Sequence, residues 1–231
     1  MNKAPRLVAV TGPTAVGKTS FTVALAKKLK TVVVSCDSRQ FYKEMSVGTA
    51  KPSEEELQGV KHYFINSHSI QDALTAGIYE KEAIALLDEL FKTYPHIILT
   101  GGSGLYLDAI LHGIDEIPPV DEQVKQQLEI DLGVEGMETL QQELFRHDPT
   151  YYKQIDVFNS RRLLRALGVI RTTGKPFSSF HRPNPKVRNF ETSLFVLNRD
   201  REELYQRINQ RVIEMMQNGL EEEARQLHAF S

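Results

Sequence analysis

The 231-residue sequence lacks several features that define whole classes of protein. It contains a single cysteine, Cys36, which excludes an internal disulfide framework or a cysteine-rich zinc site and favours a reducing compartment. No stretch approaches the roughly 18 consecutive apolar residues of a membrane-spanning helix. Residues 1–10 also lack the charged and apolar pattern of a signal peptide. We therefore expect a cytoplasmic protein with no membrane partner.

Acidic residues are absent from one long segment of an otherwise balanced chain. Residues 157–190 contain no Asp or Glu but hold eight basic residues. The whole chain has a net charge of −2, so the residues outside this segment have a net charge of −10. Such segregation is typical of a surface that binds a polyanion such as nucleic acid, although a solvated basic face without a partner is an alternative. The eight residues are Arg161, Arg162, Arg165, Arg171, Lys175, Arg182, Lys186 and Arg188.

The most specific motif is Gly12-Pro-Thr-Ala-Val-Gly-Lys-Thr19, which fits the phosphate-binding pattern G-x-x-x-x-G-K-[ST]. An apolar run at 7–10 predicts a strand before it, and helical spacing over 20–30 predicts a helix after it. Backbone amides at the start of that helix would cradle a diphosphate or triphosphate, with Lys18 as a point charge and Thr19 as a magnesium ligand. The predicted phosphate contacts are Gly12, Pro13, Thr14, Ala15, Val16, Gly17, Lys18 and Thr19. Any polyphosphate would satisfy this loop, so it does not identify the substrate.

Short β-branched runs alternate with helical patterns along much of the chain. This alternation predicts an α/β fold with a P-loop NTPase-like three-layer core, a mostly parallel sheet and a helical insertion domain. The core is expected at 1–112 and 189–231, and a mainly helical insertion that includes the basic segment is expected at 113–188. Further strands are predicted at 32–36, 63–65, 97–99 and 194–197. Helices are predicted at 54–57, 76–94, 105–111, 159–171, 200–217 and from 221 onward, and Phe21, Leu25 and Leu29 form the expected apolar stripe of the first helix.

Two polar turns follow predicted buried strands and should lie at the same edge of the sheet. Asp37-Ser-Arg-Gln40 follows the second strand, and Thr100-Gly-Gly-Ser-Gly-Leu-Tyr106 follows the strand at 97–99. In open α/β sheets, ligands bind at the carboxyl ends of the strands. Ser103 carries the only side-chain hydroxyl among these glycines, so it either donates a hydrogen bond to a ligand or caps the next helix.

Five motifs together resemble the tRNA dimethylallyltransferase (isopentenyltransferase) family. They occur in the family's order and cover nearly the whole chain. Members of this family normally continue further than residue 231, so we expect the chain to correspond to part of a longer protein. The motifs are Gly12-Pro-Thr-Ala-Val-Gly-Lys-Thr19, Asp37-Ser-Arg-Gln40, Gly48-Thr-Ala-Lys-Pro52, Gly101-Gly-Ser-Gly-Leu-Tyr106 and Asn159-Ser-Arg-Arg-Leu-Leu-Arg165.

The resemblance implies transfer of a dimethylallyl group from its diphosphate to N6 of the adenosine just 3′ of the anticodon. Asp37 would then accept the proton of the adenine amine, with Lys18 and Ser103 also in the catalytic set. The P-loop and Mg²⁺ on Thr19 would stabilise the diphosphate leaving group. Arg201 and Arg207 are assigned to the diphosphate, although pairing within their own helix is an alternative for them.

A base of the anticodon loop must be turned out of its stack to enter a pocket. The resemblance therefore implies contacts with the anticodon stem-loop of tRNA by a monomeric protein, with basic side chains holding the backbone and polar ones reading the adenine. The acidic stretch at 113–148 is assigned no such contact. The assigned residues are Asp37, Ser38, Arg39, Gln40, Ser103, Arg161, Arg162, Leu163, Leu164 and Arg165.

Other functions fit parts of the sequence. An isopentenyltransferase acting on free adenylate would use the same P-loop but would not need the basic segment. A P-loop kinase of a small molecule would transfer the γ-phosphate of ATP. A non-catalytic RNA-binding switch would bind nucleotide and RNA without forming a product.

Overall fold

The computed structural model describes residues 4–72 and 74–230. These residues form two compact units: a sheet unit that runs to Ile114 and resumes at Lys186, and a helical unit, Asp115–Pro185. The strands are β1 (Arg6–Thr11), β2 (Val33–Ser35), β3 (His62–Tyr63), β4 (His96–Thr100) and β5 (Glu191–Val196). The helices are α1 (Lys18–Leu29), α2 (Glu54–Leu57), α3 (Ala76–Leu90), α4 (Gly104–Leu111), α5 (Glu122–His147), α6 (Pro149–Tyr152), α7 (Ser160–Thr173), α8 (Arg201–Gln217) and α9 (Leu220–His228).

Within the described residues the five strands form one sheet in the order β3-β2-β4-β1-β5, and every neighbouring pair is parallel. The strands β1, β2 and β4 are buried along most of their length, which explains their continuous apolar sequences. On β5, by contrast, Leu194, Phe195 and Val196 are each more than half exposed. The predicted α/β class with a P-loop core and a parallel sheet is confirmed.

Several element boundaries differ from the predicted ones. The helix expected over 76–94 ends at Leu90, and the terminal helix expected from 221 spans Leu220–His228, with residue 231 outside the described part of the chain. Helix α1 buries Thr22, Val23 and Ala26, and Leu25 packs against the same core, whereas Phe21 is 43% exposed, so the expected apolar stripe is wrong at Phe21. None of the described helices is both long and apolar enough to cross a membrane.

An aromatic cluster supports the carboxyl end of β2. The rings of Phe41, Phe64, Tyr79 and Tyr106 pack on one another, with Phe41 stacked on Tyr79 at a centroid distance of 5.0 Å. The Tyr79 hydroxyl donates a 2.8 Å hydrogen bond to the carbonyl of Ser35. Burial raises the pKa of Tyr79, so the phenol remains a neutral donor. This cluster fixes the strand end that precedes Asp37.

The basic segment is partly consumed by ion pairs inside the protein. Arg171 of the helical unit bonds both Asp131 and Glu143 of α5, and the amide and guanidinium of Arg182 bond Asp115. In the sheet unit, Lys186 and Arg188 pair with a glutamate of α3. The eight charges are therefore not one footprint for a polyanion. The four that carry no ion pair within residues 4–72 and 74–230 are Arg161, Arg162, Arg165 and Lys175.

The carboxylate of Glu80 on α3 joins the point where the chain leaves the sheet unit to the point where it returns. Glu80 is 4% exposed, and its oxygens accept hydrogen bonds from the amide of Ile114, from Lys186 Nζ at 2.9 Å and from Arg188 at 2.8 Å. Burial alone would raise the pKa of Glu80, but these donors outweigh it and hold the pKa below its ordinary value.

We expect Glu80→Ala to lower the free energy of unfolding by about 3 kcal/mol, because it leaves two cations without their buried partner. Urea titration followed by circular dichroism measures this change. Glu89→Ala on the same helix is the control. Among the described residues the Glu89 side chain forms only an exposed ion pair with Lys92, so its loss should cost less than about 1 kcal/mol. Equal losses in the two variants would contradict the central role of Glu80.

The stabilities of wild type and Glu80→Ala should also depend differently on pH in acid. Because the folded pKa of Glu80 lies below its ordinary value of 4.5, its contribution is complete above that value and is lost as the pH falls through the lowered pKa. The stability difference between wild type and Glu80→Ala should therefore shrink below pH 4.5. A difference that stays constant into stronger acid would contradict this assignment.

Candidate active site

The P-loop connects β1 to α1, and its glycines are required by close contacts and by backbone conformation. Gly12 has φ +147°, and a Cβ there would lie 2.5 Å from the carbonyl oxygen of Leu197. Gly17 precedes α1 with φ +104°, in the left-handed region that favours glycine. Any side chain at Gly12 would push the loop away from the residue that follows β5.

Lys18 begins α1 and folds back over the loop. Its Nζ donates to the carbonyls of Gly12 at 3.0 Å and Pro13 at 2.9 Å. Burial lowers the pKa of Lys18, while the neighbouring charge of Asp37 opposes this shift and that of Arg211 adds to it. The ammonium group thus lies on the P-loop, where an anion would replace water around it.

Three arginines from the segment after β5 contact the P-loop. Arg199 Nε donates to the carbonyl of Val16 at 2.9 Å, Arg207 Nε to that of Ala15 at 2.7 Å, and Arg211 to the Thr14 hydroxyl at 3.0 Å. Arg199 is also paired with Glu203, so the cations on the loop that carry no ion pair among the described residues are Lys18, Arg207 and Arg211. Such a set of guanidinium groups suits a diphosphate or triphosphate.

Arg201 does not join this set, in contrast to its predicted place beside Arg207. Its Nε donates to the Tyr205 hydroxyl at 3.0 Å, and its guanidinium lies 5.3 Å from the centre of that ring. Six residues along a helix correspond to a rotation of about 240°, so Arg201 and Arg207 lie on different faces of α8. Arg211, one turn after Arg207, takes the position on the loop instead.

Asp37 lies immediately after β2, next to the turn that follows β4. A Cβ on Gly101 would lie 2.6 Å from the backbone carbon of Cys36 and 2.8 Å from the Asp37 nitrogen, so only glycine fits between them. A Cβ on Gly102 would lie 3.8 Å from Asp37 Oδ2 and 4.0 Å from Lys18 Nζ, which shows that both charged groups flank the same turn. Asp37 Oδ1 accepts a 3.1 Å hydrogen bond from the Arg39 amide.

Cys36 and Ser103 have structural contacts in the site. Cys36 is fully buried, and burial raises the pKa of its thiol to about 12, which removes it as a competing nucleophile at neutral pH. Ser103 Oγ accepts from the Ser38 amide at 3.0 Å and donates to Ser38 Oγ at 2.9 Å. Ser103 occupies the N-cap position of α4, but its side chain makes no capping hydrogen bond there.

A cavity of about 900 Å³ in the sheet unit brings these groups together. It joins the P-loop, the end of β2, the loop at 46–51 and one face of α8. Arg201 is not among its lining residues. Its lining residues include the acidic Glu56 and Glu214 as well as Thr14, Ala15, Gly17, Lys18, Thr19, Asp37, Gln40, Lys51, Arg207 and Arg211.

In the helical unit, the residues assigned to tRNA divide between surface and core. Arg161, Arg162 and Arg165 on α7 are exposed, and Leu164 is half-buried. Leu163 is fully buried in the apolar core of this unit, so its side chain is not available for RNA and that assignment is corrected. The amphipathic spacing of α7 produces both results, because residues two positions apart lie on opposite sides of a helix.

Comparison with known proteins gives the family. A model described as "IPP transferase" matches residues 40–231. The chain is 47% identical over 222 residues to the tRNA dimethylallyltransferase of Christiangramia forsetii, with 96% of this chain and 74% of that protein covered. It is also 47% identical over 228 residues to the tRNA dimethylallyltransferase of Flavobacterium johnsoniae, with 96% and 74% covered. The chain belongs to the IPP transferase family.

Two solved structures match nearly the whole chain in fold. The tRNA isopentenylpyrophosphate transferase of Bacillus halodurans matches with a TM-score of 0.64 at 35% identity, over 98% of this chain and 71% of that one. A eukaryotic dimethylallyltransferase acting on tRNA matches in fold with a TM-score of 0.77 at 24% identity, over 98% of this chain and 56% of that one. The chain spans about three quarters of the length of the two tRNA dimethylallyltransferases named above.

We expect Arg207→Ala to weaken the binding of inorganic pyrophosphate roughly tenfold, because it removes a guanidinium from the P-loop. Isothermal titration calorimetry measures the dissociation constant. Arg201→Ala is the matched control on the same helix and should leave it within about twofold, since its guanidinium contacts Tyr205. A tenfold weaker pyrophosphate affinity in Arg201→Ala would show that Arg201 does contact the phosphate site.

Proposed function

We propose that this IPP transferase transfers a dimethylallyl group from dimethylallyl diphosphate to N6 of the adenosine just 3′ of a tRNA anticodon. The observation that carries the proposal is one cavity lined both by a cationic P-loop and by the carboxylate of Asp37. A P-loop alone would serve any polyphosphate. A carboxylate beside it adds a group that can accept a proton from an amine. The relatives described as tRNA dimethylallyltransferases support the same substrates.

The reaction is a displacement at the first carbon of the dimethylallyl group. The N6 nitrogen of adenine forms a bond to this carbon, the bond from the carbon to the diphosphate oxygen breaks, and diphosphate leaves with the electron pair. The proton released from N6 passes to the carboxylate of Asp37, which acts as general base. The hydrogen bond from the Arg39 amide orients Asp37 through Oδ1 and leaves Oδ2 on the side of Gly102 and Lys18.

Negative charge grows on the leaving diphosphate, and the P-loop stabilises it. We assign this role to the N–H groups of the loop at 12–19, except at Pro13, which has none, to Lys18 and to the guanidinium groups of Arg207 and Arg211. Ser103 is assigned a positioning role, because both of its hydrogen bonds hold Ser38 beside Asp37. It remains a predicted member of the site through that contact.

The donor set of the cavity fits a magnesium ion held mainly by the substrate. No group of three His, Cys, Asp or Glu side chains within residues 4–72 and 74–230 is arranged to hold a metal. The Thr19 hydroxyl lines the cavity, and one hydroxyl together with phosphate oxygens and water is a usual Mg²⁺ environment. Thr19 would hold the ion, with which diphosphate is a better leaving group because its charge is neutralised.

The tRNA would be bound by exposed basic groups and by polar side chains near Asp37. Arg161, Arg162 and Arg165 are the proposed contacts with the RNA backbone on α7, and Leu164 can pack against a displaced base. Near Asp37, Ser38 and Arg39 are the proposed contacts with the adenosine. Gln40 keeps only a part of this role, because its Nε2 already donates to the carbonyls of Thr49 and Ala50 at 3.2 Å.

We expect Asp37→Asn to lower turnover at least a hundredfold, because the amide cannot accept the proton. The assay follows labelled dimethylallyl from its diphosphate into an unmodified tRNA that has adenosine on the 3′ side of its anticodon. Pyrophosphate affinity is the control and should be unchanged, since the P-loop is intact. Turnover that survives the substitution would remove Asp37 from the mechanism.

The same assay separates the alternatives by where the label appears. Label in free AMP instead of tRNA would identify an adenylate isopentenyltransferase. Transfer of the γ-phosphate of ATP to a small molecule would identify a kinase, and binding of tRNA without any product would identify a non-catalytic RNA-binding protein. Each of these outcomes contradicts the proposed function.

We expect charge reversal at Arg161 and Arg165 to weaken tRNA binding at least tenfold at moderate salt and to reduce its salt dependence, because phosphate contacts release counterions. Filter-binding titrations at several salt concentrations measure both. Lys125→Glu on α5 is the control, since Lys125 is paired with Glu122 and lies in the acidic part of the chain. Unchanged tRNA affinity in the double variant would refute the proposed contact surface.

A further inference from the structure

A carboxylate from the last described helix is held by three consecutive backbone amides of a loop in the active-site cavity. Glu223 Oε2 accepts hydrogen bonds from the amides of Ser46 at 2.8 Å and Val47 at 2.7 Å, and Oε1 accepts from the amide of Gly48 at 2.9 Å. Three successive amide donors that point at one anion form a strong anion-binding site. Here the anion belongs to the protein itself, and it lies 175 residues from its nearest donor in sequence.

The close packing of α9 on this loop also requires a small residue. A Cβ on Gly48 would lie 3.1 Å from Leu220 Cδ1 and 3.3 Å from Glu223 Oε1. Neither φ nor the helix pattern explains the glycine at this position, whereas the approach of α9 does. The Gly48-Thr-Ala-Lys-Pro52 motif thus includes a residue that fits the carboxylate of Glu223.

The loop at 46–51, which Glu223 holds, forms part of the wall of the cavity. Ser46, Val47, Thr49, Ala50 and Lys51 line the same cavity as Lys18 and Asp37. On its other side the loop is tied to the segment that carries Asp37, because Gln40 donates to the carbonyls of Thr49 and Ala50. One connected set of hydrogen bonds therefore runs from α9 through the loop to the motif at 37–40.

The contacts around Glu223 stabilise its ionised carboxylate in the folded protein. Burial by itself would raise the pKa of Glu223, but the three amides and the nearby charge of Lys51 outweigh it and lower the pKa. Lys51 Nζ in turn donates to the carbonyl of Tyr42 at 2.7 Å and to Asn66 Oδ1 at 2.6 Å. The loop is thus fixed at one end by Glu223 and at the other by the hydrogen bonds of Lys51 to Tyr42 and Asn66.

We propose that Glu223 is a positioning residue for the transfer reaction. Its carboxylate fixes the loop at 46–51 and, through Gln40, the placement of the general base Asp37. This inference rests on the proposed function of the cavity. The hydrogen bonds of Glu223 go to the loop at 46–51 and not to the P-loop or to the arginines of α8. Glu223 should therefore affect the adenosine and its general base, and not the binding of diphosphate.

The test compares Glu223→Gln with Glu222→Gln. In the first variant an amide N–H faces a loop N–H, so part of the clamp is replaced by repulsion. In the control an equal charge is removed from the same helix turn, where Glu222 accepts only a hydrogen bond from Gln226 among the contacts that the structure describes. The measurements are kcat and KM with tRNA, pyrophosphate affinity, Tm and hydrogen exchange of the amides at 46–48.

We expect Glu223→Gln to lower kcat at least tenfold and to speed exchange of the three amides, with pyrophosphate affinity within about twofold of wild type. Glu222→Gln should match wild type in all measurements. Gly48→Ala approaches the same contact from the loop side and should also lower kcat with little effect on pyrophosphate binding. This combination of losses would establish a role in positioning.

Two results would overturn the inference while leaving the proposed function intact. One is wild-type kcat in Glu223→Gln. The other is a parallel loss of Tm, pyrophosphate affinity and kcat, which would indicate general support of the fold and not positioning. If wild-type protein itself transfers no label to tRNA, the proposed function fails, and the positioning role fails with it.

Discussion

The arrangement of the site depends on the parallel register of β1, β2 and β4. Thr100 of β4 is paired with Val10 of β1 on one side and with Ser35 of β2 on the other. The three strands therefore end at one level, and the P-loop, Asp37 and the turn at Gly101 leave the sheet together. Because a shift by one residue would turn each side chain to the opposite face, this register is what allows a carboxylate and a phosphate-binding loop to share a cavity.

The strands and motifs of this site could be predicted because they are recorded locally in the sequence. Buried parallel strands require continuous β-branched runs, and the P-loop requires its glycines and lysine at fixed spacing. The carboxyl edge then follows from topology, which predicts Asp37 at the same edge of the sheet as the P-loop. The boundaries of α3 and β5 were less accurate, because the ends of elements depend on the residues that pack on them.

Side-chain partners were much less predictable, since one sequence pattern allows several of them. The spacing of arginines after β5 did not distinguish Arg201 from Arg211, because the choice depends on which face of α8 meets the P-loop. The charge of the basic segment overstated the available surface, because Arg171 and Arg182 were balanced by carboxylates more than 25 residues away. Nothing in the sequence around Glu223 marks the loop amides as its partners.

The hydrogen bonds around Glu80 have a consequence for how this family can change during evolution. The amide of Ile114 and the side chain of Lys186 meet on one carboxylate, and the Lys186 amide also donates to the carbonyl of His112 at 2.8 Å. The two ends of the helical unit are thus anchored side by side in the sheet unit. Segments with adjacent ends can be lengthened, shortened or exchanged as modules at little entropic cost. The helical unit could accordingly change in length or sequence while the sheet unit and its cavity are kept.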